Sequence, residues 1–499
     1  MSILTENRTH NQLIFLLILV LTFSTVYSVH KNYRFPLHAD EWQHLALSIQ
    51  IMEEEGLSSL NPYDLSLHVD TEPGFHILVS EILMITGVEP VTYYRFLPAI
   101  FACISNIMLF AFVWKLTKNR GIGFLSMIFF STLKSNVNIL GPVFLVPLTA
   151  SIPLIYLFFL TVHQALAWKS MRRVYTLISV WIALFLIHPI SAAFTAFVCF
   201  IYALTEYKRT MDLMRKLSVF IVIPVAVFVV FIRSLEEHWG GGITYIFVDH
   251  IVYEYGWGKT EILYALHDFY GYTPLLLALL GLIVEARRKE PLVPLWSLYA
   301  ALNIYAYGFL EATVIAPFQR MLYYAMLGLT VLSGIGLYRL LDYVRTSLQR
   351  ITLEARLRGY VTQIAITLTL AAVFYVSFST YFDFPTRAKL YQVIEEDEYS
   401  AIRWIGDNYG GDNIVLADTW TSIAVYPITR NRVVGFVSAH IESDGDDFAD
   451  EFFKSDCINM ASMIEREGIS LVITKERISC PGIELVYGNK TLVYETKRV

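Results

Sequence analysis

Asp40, Glu41 and His44 are the side chains in this 499-residue chain whose types and spacing best suit acid–base chemistry. They lie in the run His38-Ala39-Asp40-Glu41-Trp42-Gln43-His44-Leu45. From Asp40 to about Glu55, Trp42, Leu45, Ile49 and Met52 recur at helical spacing and form one apolar stripe. Asp40 and His44 are four apart and share the opposite face. Such a helix is expected to lie in a membrane interface, with its stripe in lipid and its carboxylate in water. That setting suits an enzyme whose substrate hangs from a lipid. A local reading of Asp40 stands beside this one. It could serve as an N-cap that accepts from the first helix N–H groups, with Gln43 three residues on as a loose capping box.

The elements around this run are those of a polytopic membrane protein. The chain is 55% hydrophobic and only 16% charged, with a mean hydropathy of +0.50, whereas soluble domains carry about a quarter charged residues. Its net charge of -6 argues against nucleic acid as a partner. The first expected span is Asn11–Val29, read as a retained helix rather than a cleaved signal. A loop over residues 30–89 follows. It carries the Asp-Glu helix, then Asp70-Thr71-Glu72-Pro73-Gly74, then the apolar run Phe75–Val88, which is short and holds Glu81, so it is expected not to cross. Further expected spans are Thr92–Leu116, Gly121–Leu133, Leu148–Trp168, Val174–Ile187, Ile190–Leu204, Leu217–Ile232, Tyr272–Val284, Leu292–Leu310, Arg320–Leu340 and Tyr360–Tyr381, eleven in all with the first.

Charge sets the expected orientation. Lys and Arg cluster at Lys115–Arg120, Lys169–Arg173, Lys208–Lys216, Arg287–Lys289 and Arg339–Arg358. With a cytoplasmic amino terminus and eleven spans, every cluster falls inside. The Asp40 loop, the Ser234–Gly271 loop and the tail then fall outside the plasma membrane. Residues 1–382 read as the membrane domain and 383–499 as a small α/β domain of ordinary size. Its expected helices are Tyr399–Asn408 and Asp446–Glu467. Its expected strands are Asn413–Ala417, Arg432–Val437, Ile469–Thr474, Glu484–Val486 and Thr491–Tyr494. Cys457 and Cys480 are the only cysteines of the tail, and an outer compartment permits a bridge between them. Asn489-Lys490-Thr491 is a glycosylation sequon.

An ion-coupled transporter needs ionisable groups or broken helices near the midplane. The expected spans are nearly free of charge away from their ends, and Arg95, His188 and Arg320 sit near expected outer ends. Polar chemistry therefore gathers at the outer face, which favours an enzyme working there. For either Arg alone, a snorkelling anchor is the ordinary alternative.

The order of features resembles the GT-C superfamily of polytopic glycosyltransferases, which includes protein O-mannosyltransferases, aminoarabinose transferases and oligosaccharyltransferases. The resembling residues are the acidic pair Asp40-Glu41, the turn Glu72-Pro73-Gly74-Phe75, Tyr94-Arg95-Phe96-Leu97-Pro98 and Pro317-Phe318-Gln319-Arg320-Met321-Leu322-Tyr323. The tail from Ala401-Ile402-Arg403-Trp404 to Thr429-Arg430-Asn431-Arg432 resembles the exterior domain of oligosaccharyltransferases. Their WWDYG acceptor motif is absent, with Ala417-Asp418-Thr419-Trp420 near that place, and no acidic pair follows the third span.

The resemblance implies a mainly α GT-C membrane fold and a polyprenyl-phosphate-linked sugar as donor. It also implies an inverting displacement onto a lipid, glycan or protein acceptor of the cell envelope. Asp40 is expected to take the acceptor proton. Arg320, with Arg95, is expected to hold the leaving phosphate through its forked donors. His44 and Glu72 are expected to contact substrate. Glu41 shares the acidic site or, with Asp40, holds a divalent cation such as Mg or Mn. A lipid-linked glycan transporter and a non-catalytic membrane assembly protein are the alternatives. A transporter would tolerate loss of Asp40, and an assembly protein would put its function in 383–499.

Overall fold

The computed structural model describes residues 8–135, 139–168, 171–207, 252–253, 266–288, 290–310, 312–351, 354–379, 391–436 and 445–497. The chain divides into two compact units. The first comprises Met1–Val26, Ala99–Val143 and Leu148–Phe384, and the second Tyr27–Pro98, Phe144–Pro147 and Pro385–Val499.

Among the described residues five helices are long and apolar enough to cross a membrane: Thr9–Tyr27, Pro90–Thr117, Pro147–Ala165, Phe318–Gln349 and Ala355–Phe378. Arg120–Ser131 has 12 residues, which at about 1.5 Å each falls short of a hydrocarbon core about 30 Å thick. The expected span Leu217–Ile232 lies outside the described residues, so the count of eleven is not reached among them.

The first unit is built on Phe318–Gln349, which is buried continuously from Met321 to Leu337. Tyr272–Arg288, Leu292–Leu310 and Arg120–Ser131 pack on it. Glycine sets the closeness of one of these contacts. A Cβ on Gly281 would lie 2.0 Å from the Leu332 carbonyl oxygen, and one on Gly336 would lie 1.8 Å from that of Leu277. Two helices thus meet backbone to backbone, the packing that small residues allow in membranes. A two-residue ribbon, β1 (Val252–Tyr253) against β2 (Thr313–Val314), completes the unit.

The second unit joins the first loop to the tail, so the division differs from the linear one expected at residue 382. Its sheet has strands β3 (Ile414–Leu416), β4 (Arg432–Val433), β5 (Leu471–Thr474), β6 (Ile483–Gly488) and β7 (Leu492–Thr496), in the order β4-β3-β5-β7-β6. Pairing is parallel about β3 and antiparallel about β7. All five expected strands are present with shifted ends. The helix expected over 446–467 is two, Gly445–Lys454 and Cys457–Glu467, because Asp456 caps the second. Thr419–Thr429 is a helix that the pattern missed. Asp418 caps it and Pro427 lies inside it. Cys457 and Cys480 are bridged, with Cα atoms 5.3 Å apart. Asn489 stands exposed in the turn between β6 and β7.

Loop and tail are tied by hydrogen bonds. Tyr63 Oη donates to the Ile423 carbonyl at 2.8 Å, Val433 N–H donates to the Tyr63 carbonyl at 2.9 Å, and Tyr33 Oη donates to the Ile394 carbonyl at 3.0 Å. Arg34 pairs with Glu396, and Arg430 with Glu53. Pro73–Thr86 is a 14-residue helix. It packs against Ala39–Glu54.

Candidate active site

Local chemistry explains why Ala39–Glu54 starts where it does. His38, not Asp40, is the N-cap: its Nδ1 accepts the Asp40 N–H at 3.1 Å. Glu41 closes the capping box by accepting the His38 N–H at 3.1 Å. The local reading of Asp40 as the cap, with Gln43 as its partner, is thereby corrected. Two carboxylates in the first turn also suit the positive end of the helix dipole.

The apolar stripe is corrected too. Trp42, Leu45 and Ile49 are fully buried, and the helix packs on Pro73–Thr86 and Thr419–Thr429. The stripe meets protein rather than lipid, because periodicity reports burial without naming what does the burying.

Glu41 is drawn into the fold. Its Oε2 accepts the Leu37 N–H at 2.8 Å as well as that of His38, and its Oε1 accepts the Leu145 N–H at 2.7 Å. The Leu145 carbonyl in turn accepts from Tyr94 Oη at 2.7 Å. Residues 144–147 are thus clamped on both sides. Burial pushes the Glu41 pKa up to about 8, although its backbone donors pull the other way. With both oxygens of Glu41 committed to N–H donors, Asp40 and Glu41 do not fit the expected cation site. No group of three or more His, Cys, Asp or Glu among the described residues is arranged to hold a metal ion.

Asp40 is different. Its side chain is 21% exposed, with Oδ1 lying 3.6 Å from His38 Nδ1. His44, on the same helix face, lies with Nδ1 2.9 Å from Nε2 of His76. His76 Nδ1 lies 2.7 Å from Asp70 Oδ2. Burial pushes Asp70 upward, but the His76 hydrogen bond and charge and the Glu72 N–H more than offset it, and its pKa lies below the ordinary carboxylate range. His76 and Asp70 escaped the sequence reading. The available signal was a lone His in the apolar run Phe75–Val88, close after Asp70. Glu72 occupies the N-cap position of Pro73–Thr86 without a side-chain capping bond. Arg95 lies over the Phe96 ring at 4.9 Å, and its Nε has no hydrogen-bond partner among the described residues. The second unit thus holds Asp40, Glu41, His44, Glu72 and Arg95.

Arg320 belongs to the first unit, in the first turn of Phe318–Gln349. No side chain caps this helix start, and the guanidinium adds its charge to the positive end of the helix dipole. One turn on, Tyr324 Oη lies 2.8 Å from Ser191 Oγ, which is also 2.7 Å from His188 Nδ1 and 2.9 Å from Ser151 Oγ. The charge of Arg320 acts on the His188 ring.

The fold is that of GT-C membrane glycosyltransferases. ArnT from Cupriavidus metallidurans in the apo state is similar with a TM-score of 0.63 at 12% identity, covering 98% of each chain. Its structure bound to undecaprenyl phosphate gives the same TM-score. The oligosaccharyltransferase from Archaeoglobus fulgidus is similar with a TM-score of 0.62 at 11% identity, over 95% of this chain and 70% of that one. A mutant of the arabinofuranosyltransferase AftD from Mycobacteria matches with a TM-score of 0.55 at 13% identity, over 98% of this chain and 42% of that one. No curated protein matches by sequence. A family model does match, over residues 7–450, and the chain belongs to that family, a family of unknown function (DUF6541).

Proposed function

We propose that the protein transfers a sugar from a polyprenyl-phosphate donor to an acceptor hydroxyl of a lipid, glycan or protein at the outer face of the plasma membrane. The carrying observation is the placement of Asp40. It stands half-buried at the start of a capped helix in the loop after the first helix, while its neighbour Glu41 is spent on backbone N–H groups. Two similar folds support the donor class: ArnT is described bound to undecaprenyl phosphate, and the A. fulgidus enzyme in complex with a dolichol-phosphate. Asp40 removes the acceptor proton as the acceptor attacks the anomeric carbon. Glu41 acts by holding the helix start and residues 144–147, not by touching substrate. Deleting the gene and identifying the lipid-linked sugar that accumulates tests this reading. Unchanged polyprenyl-phosphate sugars in the deletion strain would refute it.

Arg320 holds the lipid phosphate in this reading. Arg320→Ala is expected to raise the donor KM about tenfold or more. Arg320→Lys, which keeps the charge and loses the fork, is expected to fall between it and the unaltered protein. Steady-state kinetics with varied donor checks this, and identical donor kinetics for all three proteins would end the phosphate-holding role of Arg320.

Sidedness follows from the positive-inside tendency. Single cysteines at Ser59 and Ser400 are expected to react with a membrane-impermeant thiol reagent on intact cells, and one at Ser347 is expected not to. Labelling at Ser347 alone would invert the topology. Ser438, a further tail position, lies outside the described residues.

A further inference from the structure

Four helices of the first unit line a cavity of about 460 Å³. They are Thr9–Tyr27, Arg120–Ser131, Phe318–Gln349 and Ala355–Phe378. The volume falls within the range of about 300–1,000 Å³ common to ligand sites. Most of the wall is aliphatic or aromatic, with Leu17, Phe124, Leu370 and Phe374 among its residues. On Ala355–Phe378 the lining runs from Gln363 to Phe374, a length of about 16 Å at about 1.5 Å per residue. One leaflet of a hydrocarbon core about 30 Å thick has nearly that depth.

The polar lining gathers at one end. Asn119 caps the start of Arg120–Ser131, Gln363 lies in the first part of Ala355–Phe378, and Tyr338, Asp342 and Arg345 lie in the last part of Phe318–Gln349. These are the helix ends that the positive-inside tendency assigns to the cytoplasm. With Arg320 at the outer edge, a core about 30 Å thick ends about 20 residues further along the helix, near Leu340. Tyr338 then stands just inside the hydrocarbon, and Arg345 at the depth of the headgroups.

Two groups at this end lack a partner among the described residues. Arg345 is half-buried, and no hydrogen bond or ion pair engages it. Asp342, on the same helix, lies 3.9 Å from Arg339 instead. Tyr338 Oη is shielded from solvent and has no hydrogen-bond partner. A hydroxyl in an apolar wall calls for an acceptor. Between residues 339 and 358 five arginines stand against two acidic residues. The field at this end therefore favours an anion, as basic pockets between helices on the cytoplasmic side do.

We propose that the cavity binds one anionic glycerophospholipid of the cytoplasmic leaflet. One acyl chain lies along Leu17, Phe124 and Leu370. The phosphate meets the forked donors of Arg345, and Tyr338 Oη donates to an oxygen where the chain joins the glycerol. That hydroxyl favours a lipid carrying oxygen at this depth over a bare isoprenoid tail. The site is separate from the donor phosphate of the transfer reaction, because Arg320 and Arg345 lie about 37 Å apart along one helix. Of the five long apolar helices, Thr9–Tyr27 and Ala355–Phe378 are the least covered by protein. The bound chain adds contact to those two.

Native mass spectrometry of the delipidated full-length protein tests this without a transfer assay, so its outcome is independent of the transferase reading. The probes are dioleoyl phosphatidylglycerol, dioleoyl phosphatidylcholine and undecaprenyl phosphate. One phosphatidylglycerol per chain is expected to stay bound, about fivefold more tightly than phosphatidylcholine, the gain from one cation near an anionic headgroup. Arg345→Gln is expected to weaken phosphatidylglycerol about tenfold and to abolish the preference. Tyr338→Phe is expected to weaken both phospholipids several-fold. Arg350→Gln, at an exposed arginine outside the lining, is expected to change neither. Leu370→Trp fills the groove and is expected to expel the lipid. A thermal melt shows whether that variant is folded, and if it is not, Arg345→Gln and Tyr338→Phe decide the matter. No retained lipid, equal retention of the two phospholipids, or equal effects of Arg345→Gln and Arg350→Gln overturns the site. Undecaprenyl phosphate held more tightly than phosphatidylglycerol gives the cavity to an isoprenoid phosphate, and a lipid-free dimer gives it to a second copy. Either result overturns the proposal.

Discussion

Asp40→Asn is expected to lower transfer by about 10²–10⁴-fold, the range that a positioned general base supplies, while the protein still inserts and melts as before. The structure makes this substitution unusually clean. His38 caps the helix, and what it receives is the backbone N–H of residue 40, which Asn keeps. No side-chain capping bond is lost, so the change removes only a charge and a proton acceptor. The assay is transfer by the purified protein from a synthetic polyprenyl-phosphate sugar, beside a thermal melt. An Asn variant that transfers at the unaltered rate ends the catalytic role of Asp40. One that fails to fold points to a structural role that the observed contacts do not contain.

Glu41→Ala is expected to produce the largest loss of stability. Three N–H donors, the buried ones of Leu37 and Leu145 and the part-buried one of His38, lose their acceptor together. Each orphaned donor costs about 1–3 kcal/mol, against a total stability of about 5–15 kcal/mol for an ordinary domain. The second unit is expected to open, and limited proteolysis is expected to cut near residues 144–147 first. Glu41→Gln keeps one acceptor oxygen but turns an amide N–H₂ toward donors, so a smaller loss of about 1–3 kcal/mol is expected.

Glu41 also predicts a pH dependence. Its folded pKa of about 8 lies above the ordinary 4.5. A group raised in this way contributes stability that is fully present below the unfolded value and is lost as pH rises through the folded one. The unaltered protein should therefore melt lower at pH 9 than at pH 6 through this group. Glu41→Gln should lack that slope, so the gap between the two should narrow as pH rises. Parallel melting curves at both pH values would show that Glu41 does not change charge across this window.

The legible parts of the molecule were those encoded locally. Helical spacing marked Ala39–Glu54, and short β-branched runs marked each of the five tail strands. What local pattern could not carry was the partner of each face. The Trp42–Leu45–Ile49 stripe has the same period against lipid as against protein. The acceptor role of Glu41 depends on Leu145, 104 residues away, and no spacing rule reaches that far. His38 was missed as a cap because histidine is not among the usual capping residues. His76 was missed because a single His in a mostly apolar run gives no periodic signal. Thr419–Thr429 was missed because Pro427 in its interior argues against a helix. The resemblance to GT-C enzymes supplied the fold correctly while each of its motifs was short.

The tie between Tyr63 and Ile423 spans 360 residues of chain, and the order of synthesis gives that distance a meaning in time. At about 5–20 residues per second, roughly 20–70 s separate the appearance of the first partner from that of the second. Throughout that interval the helix bearing Asp40 lacks one of the elements that pack on it, Thr419–Thr429. A nascent chain therefore gives the loop that carries Asp40 its final packing only after residue 423 has been made. The closing contacts of the tail thus complete the packing of a loop made long before them.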